Sequence, residues 1–150
     1  MPICQNVLDG RAAHAKILEG VNLLGDYSEK VKDQLVALGE VISAKYLTNL
    51  LNENGIKANF VDARNVLVTD ANFGNAQPIE AVSKKKVQQY FKENQGVVNV
   101  VTGFIAATAS GETTTLGRNG SNYTAALLAN FLEAKELQNY THVDGIFTAN

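Results

Sequence analysis

The stretch at residues 96–104, GVVNVVTGF, constrains the fold of this chain more than any other, because it is a nearly continuous apolar run. Runs of this kind are typical of strands buried on both faces, as in parallel sheets covered by helices. Helical and strand patterns alternate on either side of it, which indicates an α/β fold with a largely parallel sheet. Ligands of such sheets bind outside the carboxyl ends of the strands, where loops lead into helices. Candidate functional residues are therefore expected at those ends.

The other predicted elements follow from apolar spacing and from end signals. Three helices are predicted in the first third of the chain: one ended by Gly25, one capped by Ser28 and one ended by Gly55. A fourth helix capped by Ser83 and a fifth that runs through Leu132 are expected further on. Further strands are predicted at KANFVDA (57–63), NVLVTD (65–70), PIEAV (78–82), TTTL (113–116) and LQNYTHVDG (137–145), with a loop at 71–77.

Composition narrows the class of protein. The 150 residues are 45% hydrophobic, which fits one domain, or a piece of one, with a sizeable core. The formal net charge of −2 comes without a dense basic block, so we expect no nucleic-acid partner. Cys4 is the only cysteine, which fits a cytoplasmic location. No signal peptide and no apolar run of about 20 residues are present, so we expect no membrane partner.

The stretch LGRNGSN, residues 116–122, carries the clearest candidate chemistry. Gly117 and Gly120 permit positive φ and a close approach of the backbone to a ligand. Ser121 stands where a helix N-cap is expected, and the free N–H groups of that helix would form an anion site. The Arg118 guanidinium could hold a carboxylate or phosphate with two hydrogen bonds. The alternative is an ordinary tight turn with a solvated arginine, and the pattern by itself leaves both open.

Other polar residues are weaker candidates. Glu40 follows Gly39 between two helical patterns and becomes interesting only if it faces a pocket. Thr141, His142 and Asp144 come at the end of a predicted strand, but Asp-Gly is an ordinary turn signal. No cluster of histidine, cysteine and acids has metal-ligand spacing, so no metal site is predicted in the chain itself.

Four segments together resemble the aspartokinases, which are members of the amino acid kinase family. Residues 20–44 resemble the helical region that leads to the family's Gly-Glu-x-x-Ser, and residues 61–76 resemble its Asp-Ala-Arg loop. Residues 97–129 resemble its Gly-Phe and Thr-Leu-Gly-Arg-x-Gly-Ser-Asp blocks, and residues 140–150 resemble its nucleotide segment. The motif Gly-Arg-Asn-Gly-Ser and the spacing of the first helices are similar to those of bifunctional aspartokinase/homoserine dehydrogenases.

The resemblance implies a three-layer αβα sandwich with a largely parallel central sheet, incomplete in these 150 residues. The chain would be part of a catalytic domain without its amino-terminal phosphate-binding segment, the rest of its nucleotide site and the regulatory ACT domains, and inactive in isolation. The implied reaction transfers the ATP γ-phosphoryl group to the β-carboxylate of L-aspartate, with Mg²⁺ bound to ATP. It opens the route to lysine, threonine and methionine. A homo-oligomer is also implied.

The resemblance assigns roles to individual residues. Arg118 would bind a carboxylate of aspartate and Glu40 its ammonium group, with Phe104 and Ser121 in the same pocket. Nucleotide contacts would come from Thr141, His142, Asp144 and Phe147, where Phe147 replaces a tyrosine. Asn122 stands at the position of a catalytic aspartate.

Departures from the family pattern keep two alternatives open. Asn122, His142 and Asn150 each replace an acid that the family usually has. Their loss would fit a degenerate kinase-fold module with a binding or assembly role. Another amino-acid kinase, acting on glutamate or a nucleotide, is the second alternative. Against degeneracy, a carboxylate acceptor is already ionised and needs no general base, so a variant active site is favoured.

Overall fold

Helices and strands alternate through the computed structural model, which describes residues 15–23, 25 and 28–140. The described part of helix α1 covers residues 15–23. The elements that follow are helix α2 (Glu29–Glu53), strand β1 (Ala58–Val61), a 3-10 helix (Ala63–Asn65), β2 (Val68–Thr69), α3 (Glu80–Glu93), β3 (Val98–Val101), β4 (Ile105–Thr108), β5 (Thr113–Thr115) and α4 (Gly120–Phe131).

The described strands form two small sheets. Strands β1 and β3 pair in parallel, with Phe60 opposite Val100. The second sheet has the order β2-β4-β5, in which β2 and β4 are parallel and β4 and β5 are antiparallel. The α/β prediction is confirmed, and two of the three strand pairings are parallel as expected. The antiparallel β5 was not expected, and it brings the Arg118 loop back beside the start of β4.

The helices cover these strands and enclose the core. Helix α2 packs against β1, β3 and β5, whereas α3 packs against β2 and α4. Helix α2 therefore connects the two sheets and lies directly beside the strand that leads to Arg118. The main apolar cluster is formed by buried residues of the 3-10 helix, α3, β4 and α4, together with those that flank them: Ala63, Val66, Leu67, Val87, Ala106, Leu116, Leu127 and Phe131.

The largest correction concerns the second and third predicted helices, which are one helix of 25 residues. Ser28 caps it as predicted, since its hydroxyl accepts a hydrogen bond from Val31 N. Gly39 and Glu40 lie inside the helix and not between two helices. Gly39 has no positive φ there, so the interior glycine lowers helix propensity by about 1 kcal/mol without ending the helix. Packing of α2 against three strands outweighs that cost.

Two predictions around α3 are wrong. Residues 78–82 do not form a strand, because α3 begins at Glu80 with Ile79 as its N-cap residue. Ser83 does not cap a helix but lies buried in its first turn. Its hydroxyl accepts a hydrogen bond from Val68 N and donates one to Val68 O. The serine therefore satisfies the backbone of β2, a long-range role that local sequence does not indicate.

The remaining strand predictions are confirmed in part. Strands β1, β2 and β5 fall inside the predicted runs, and residues 71–77 are loop as expected. The apolar run at 96–104 contains β3, but the chain leaves this strand at Val101, and β4 then follows as a separate strand. Of the final predicted strand, residues 137–140 are not extended into a sheet, and the remainder lies outside the described residues.

Candidate active site

The loop between β5 and α4 has a backbone that its glycines make possible. Gly117 has φ of 73° and Asn119 has φ of 59°. A Cβ on Gly117 would meet the side-chain oxygen of Asn75, an atom that can turn aside, so it is the positive φ that favours glycine at residue 117. Gly117 O accepts a hydrogen bond from Gly120 N at 3.1 Å, which closes the turn. Arg118 lies at the tip of this fixed turn.

Helix α4 begins two residues earlier than the sequence suggested. Asn119 is the N-cap residue, without a side-chain cap, so the prediction that Ser121 caps the helix is wrong. The left-handed conformation of Asn119 already turns the chain into the helix. Asn119 O accepts from Tyr123 N, and within the described part of the chain the N–H groups of Ser121 and Asn122 have no acceptor. Ser121 and Asn122 are thus exposed first-turn residues whose N–H groups are free, and the binding of an anion at this helix end stays a prediction.

Phe104 is fixed beside this turn in an unusual conformation. Its φ is 68°, which is rare for a bulky residue and is held here by neighbours. Phe104 O accepts from Leu116 N at 2.9 Å, and Phe104 N donates to Thr124 Oγ1 at 3.0 Å. The Thr124 hydroxyl in turn donates to Gly120 O at 2.9 Å. These bonds join the loop before β4 to the end of β5 and to the start of α4.

Ser121 lies against the same segment. A Cβ placed on Gly103 would be 2.9 Å from Ser121 Cβ, so the two backbones approach closely at this point. Phe104, Arg118 and Ser121 therefore lie around the same turn, although Ser121 does not line the cavity beside it, and their common role in substrate binding stays a prediction.

A cavity of about 280 Å³ opens beside Phe104 and Arg118. Helix α2 contributes one side of its wall, and the end of β5 with the loop after β2 contributes the other. The lining residues are Lys32, Asp33, Val36, Gly74, Phe104, Thr115, Gly117 and Arg118. Two of the predicted substrate residues therefore line one concave surface at the end of a strand, which suits a small anionic ligand.

Arg118 is available for such a ligand. Its side chain is exposed, and among the described residues no carboxylate pairs with it. Arg64 differs in this respect, because its Nε lies 2.9 Å from Asp62 Oδ1 and hydrogen bonding to Asp62 raises its pKa. Of the two arginines that the structure describes, only Arg118 has a guanidinium free to bind an external anion.

Glu40 lies on α2, one turn beyond Val36 and two turns beyond Asp33, so it shares roughly the same side of the helix. It does not line the cavity itself. The side chain is partly buried, and this burial raises the pKa of Glu40 above its usual value. A carboxylate disfavoured in this way would be stabilised by a cation such as an ammonium group. Its contact with substrate stays a prediction.

The predicted nucleotide residues Thr141, His142, Asp144 and Phe147 lie outside the described residues, as does Asn150. Among the residues that the structure describes, no group of three or more histidine, cysteine or acidic side chains could hold a metal ion. Likewise, no helix in the described ranges is long and apolar enough to cross a membrane.

Asp33 is the site residue that sequence reasoning missed. Its carboxylate is 1% exposed and lines the cavity beside Thr115. Asp33 Oδ1 accepts from Thr115 Oγ1 at 2.7 Å, while Oδ2 accepts from Thr115 N at 3.0 Å and from Gly74 N at 2.9 Å. A signal was available: Asp33 shares a helical face with the buried residues Ala37 and Ala44, where an acid is unexpected.

Known proteins share both the sequence and the fold. The lysine-sensitive aspartokinase 3 of Escherichia coli is 37% identical over 142 residues, which are 90% of this chain and 31% of that protein. The chloroplastic bifunctional aspartokinase/homoserine dehydrogenase of Daucus carota is 34% identical over 89% of this chain and 15% of its own length. The chain thus spans a third or less of these relatives.

Solved structures agree. Aspartokinase III of E. coli, in a complex with aspartate and ADP, superimposes with a TM-score of 0.70 at 35% identity, covering 83% of this chain and 29% of that one. The aspartate kinase of Clostridium acetobutylicum, 23% identical, shares the fold with a TM-score of 0.65 over 94% of this chain and 34% of its own. The model of the family described as "Amino acid kinase family" matches residues 6–150. The chain belongs to the amino acid kinase family.

Proposed function

We propose that the protein containing this chain is an aspartate kinase, which transfers the γ-phosphoryl group of ATP to the β-carboxylate of L-aspartate and gives 4-phospho-L-aspartate. The observation that carries the proposal is the unpaired Arg118, held with Phe104 at the wall of one cavity beside a helix N-terminus. The similarity to aspartokinases, one of them solved with aspartate and ADP, supports this substrate pair.

The geometry suits this chemistry. Phosphoryl transfer depends on positioning and on neutralising charge, with little covalent work for the protein. Arg118 would hold a carboxylate of aspartate with two hydrogen bonds, and the free N–H groups of Ser121 and Asn122 would face an anion at the start of α4. Phe104 would form the apolar wall of the pocket. Because the attacking carboxylate is already ionised, Asn122 need only orient groups and need not remove a proton.

The remaining roles complete the proposal. Glu40 would bind the substrate ammonium group. Thr141, His142, Asp144 and Phe147 would contact ATP, with Mg²⁺ bound to the ATP phosphates. The 150 residues would be the central part of the catalytic domain, a view that the coverage of 31% and 15% of two relatives supports. A homo-oligomer in the cytoplasm, a place in lysine and threonine biosynthesis and a fused homoserine dehydrogenase remain predictions of the same kind.

The direct test measures ADP release by the product of the complete coding frame, with and without L-aspartate, and detects the acyl phosphate as its hydroxamate. Aspartate-dependent turnover is the expected result. Glutamate and uridine monophosphate serve as competing acceptors, and turnover with either of them in place of aspartate would favour another amino-acid kinase. The 150-residue chain should bind aspartate weakly and turn over little or nothing.

Asn122→Asp distinguishes a variant active site from a degenerate one. The position is in the first turn of α4, where an acid gains about 0.3–1 kcal/mol from the helix dipole. We expect the wild-type protein to be active and kcat of the variant to change by no more than about 10-fold, or 1.4 kcal/mol. A wild type without turnover beside an active Asn122→Asp variant would instead support a binding or assembly module.

The raised pKa of Glu40 predicts a pH dependence of substrate binding. Burial disfavours the carboxylate, so Glu40 takes up a proton at a higher pH than an exposed glutamate does. Since the protonated form cannot pair with an ammonium group, KM for L-aspartate should rise as the pH falls through that pKa. The effect of pH on stability runs the other way. Because burial favours the protonated form of Glu40, its contribution to the free energy of unfolding is lost as the pH rises through the same range.

A comparison of wild type, Glu40→Gln and Glu53→Gln checks this, over a pH range that begins at the ordinary glutamate value of about 4.3 and extends above it. Glu40→Gln should have a high KM for aspartate that no longer depends on this titration. Glu53→Gln, an exposed position at the end of the same helix, should keep the wild-type profile. An unchanged profile in Glu40→Gln would show that another group causes the pH dependence.

A further inference from the structure

We propose that Asp33 is a positioning residue, which holds the loop of Arg118 in the geometry that binds aspartate; this inference rests on the proposed function. The buried Asp33 carboxylate joins helix α2 to two segments of the cavity wall. Its three hydrogen bonds go to Gly74 and Thr115, so its effect on the reaction would pass through the position of Arg118.

The hydrogen bonds of Asp33 are unusual for a buried carboxylate. It is 1% exposed, and no cationic side chain in the described part of the chain pairs with it. Its charge is instead solvated by one hydroxyl and two backbone N–H groups, at distances of 2.7–3.0 Å. An ionised acceptor makes such bonds shorter and stronger than a neutral one does. The burial of the charge is thus compensated by the chain segments that it fixes in place.

Those segments are the ones that form the cavity. Thr115 is the last residue of β5 and stands three residues before Arg118, and Gly74 belongs to the loop after β2. The β5 end and the loop after β2 are also joined directly, because Ala76 N in that loop donates a hydrogen bond to Thr115 O at 2.8 Å. Asp33 thereby sets the distance between α2, which carries Glu40, and the turn that carries Arg118. The two predicted anchors of aspartate depend on one carboxylate for their relative position.

The partners of Asp33 link it to the cavity wall and not to the apolar core. All three hydrogen bonds to Asp33 come from residues that line the cavity, and none comes from helix α2 itself. An apolar residue at position 33 would leave the N–H groups of Gly74 and Thr115 without an acceptor at the cavity wall. The loosened segment would be the substrate wall and not the core around Phe131.

The test uses the full-length protein and three variants. Asp33→Ala should raise KM for L-aspartate by roughly 10–100-fold and change KM for ATP by less than about 3-fold. Asp33→Asn should stay within about 5-fold of wild type, because its oxygen can accept from both N–H groups and its amide can donate to the Thr115 hydroxyl. Ser83→Ala is the matched control: it removes two buried hydrogen bonds to Val68, away from the cavity, and should lower stability without this KM shift.

Hydrogen exchange of the same proteins gives a readout independent of activity. In Asp33→Ala, amide exchange should become faster in residues 72–78 and 113–120 while residues 58–69 keep their protection. Exchange that is unchanged at 113–120 would overturn the proposal. If the wild type shows no aspartate-dependent turnover, the proposed function fails, but hydrogen exchange still decides whether Asp33 holds this wall.

Three further outcomes would also contradict it. Equal increases of both KM values in Asp33→Ala would indicate general damage, and an Asp33→Asn variant as poor as Asp33→Ala would assign the effect to charge and not to position. If Asp33→Ala does not fold, Thr115→Val removes only the hydroxyl bond to Asp33 Oδ1. We expect KM for aspartate to rise roughly 3–10-fold in that variant, and an unchanged KM would contradict the proposal.

Discussion

Replacement of Arg118 by alanine is expected to raise KM for L-aspartate by about 30–1000-fold in the full-length protein, while KM for ATP changes by less than about 3-fold. Loss of one partner from a hydrogen-bonded charge pair in a pocket costs about 2–4 kcal/mol, which sets this range. Arg118 is exposed and unpaired among the described residues, so its removal should leave stability nearly unchanged. Steady-state kinetics with each substrate varied in turn measures the difference.

Two controls make the result specific. Arg118→Lys keeps the charge but loses the two-pronged guanidinium, so it should lie between wild type and alanine. Arg64→Ala removes an arginine that already pairs with Asp62, and it should lower stability with little effect on KM for aspartate. If Arg118→Ala weakened aspartate and ATP equally, the assignment of Arg118 to the aspartate carboxylate would be wrong.

The fold class could be predicted because it depends on apolar periodicity. The run at 96–104 and the alternation around it indicate an α/β fold, and strands β1 and β5 and the end of α4 fall where patterns place them. The join between the second and third predicted helices could not be found in the same way. In the local sequence, Gly39 indicates a break between two helices. The packing of α2 on three strands nevertheless keeps the helix continuous through this residue.

In the candidate site, too, some residues could be predicted from local sequence and others could not. For Arg118 the local chemistry of its motif and the resemblance both predict ligand binding, whereas for Phe104 the resemblance alone predicts it. Asp33 stands 82 positions before Thr115, and only the folded chain brings the two into contact. Ser83 and Val68 give a second example of a polar contact across the sequence. Local pattern therefore indicates the residue proposed to bind the ligand, but not the buried residue proposed to position it.

The packing between α4 and Phe104 predicts that Gly120→Ala lowers both stability and substrate affinity. In Gly120→Ala, the new Cβ would lie 2.7 Å from Phe104 Cδ2, 3.2 Å from Phe104 Cα and 3.3 Å from Leu116 Cβ. Phe104 cannot easily move, because Leu116 N and Thr124 Oγ1 hold its backbone at a positive φ. Overpacking of this kind costs about 1–3 kcal/mol. The free energy of unfolding should fall by that amount, and KM for aspartate should rise as Phe104 and Arg118 shift.

Gly39→Ala provides the same chemical change at a position without such contacts. Nothing lies within 4 Å of a Cβ at Gly39, which is exposed in the interior of α2, so alanine there should stabilise the protein by about 0.5–1 kcal/mol. Urea unfolding followed by circular dichroism should therefore give free-energy changes of opposite sign for the two variants. Alanine gains less helix propensity at Gly120, the first residue of α4, than at Gly39 in the interior of α2, and the contacts at Phe104 and Leu116 make the net effect at Gly120 unfavourable. A Gly120→Ala protein as stable as Gly39→Ala would mean that Phe104 yields, and that the wall of the cavity is not held by the start of α4.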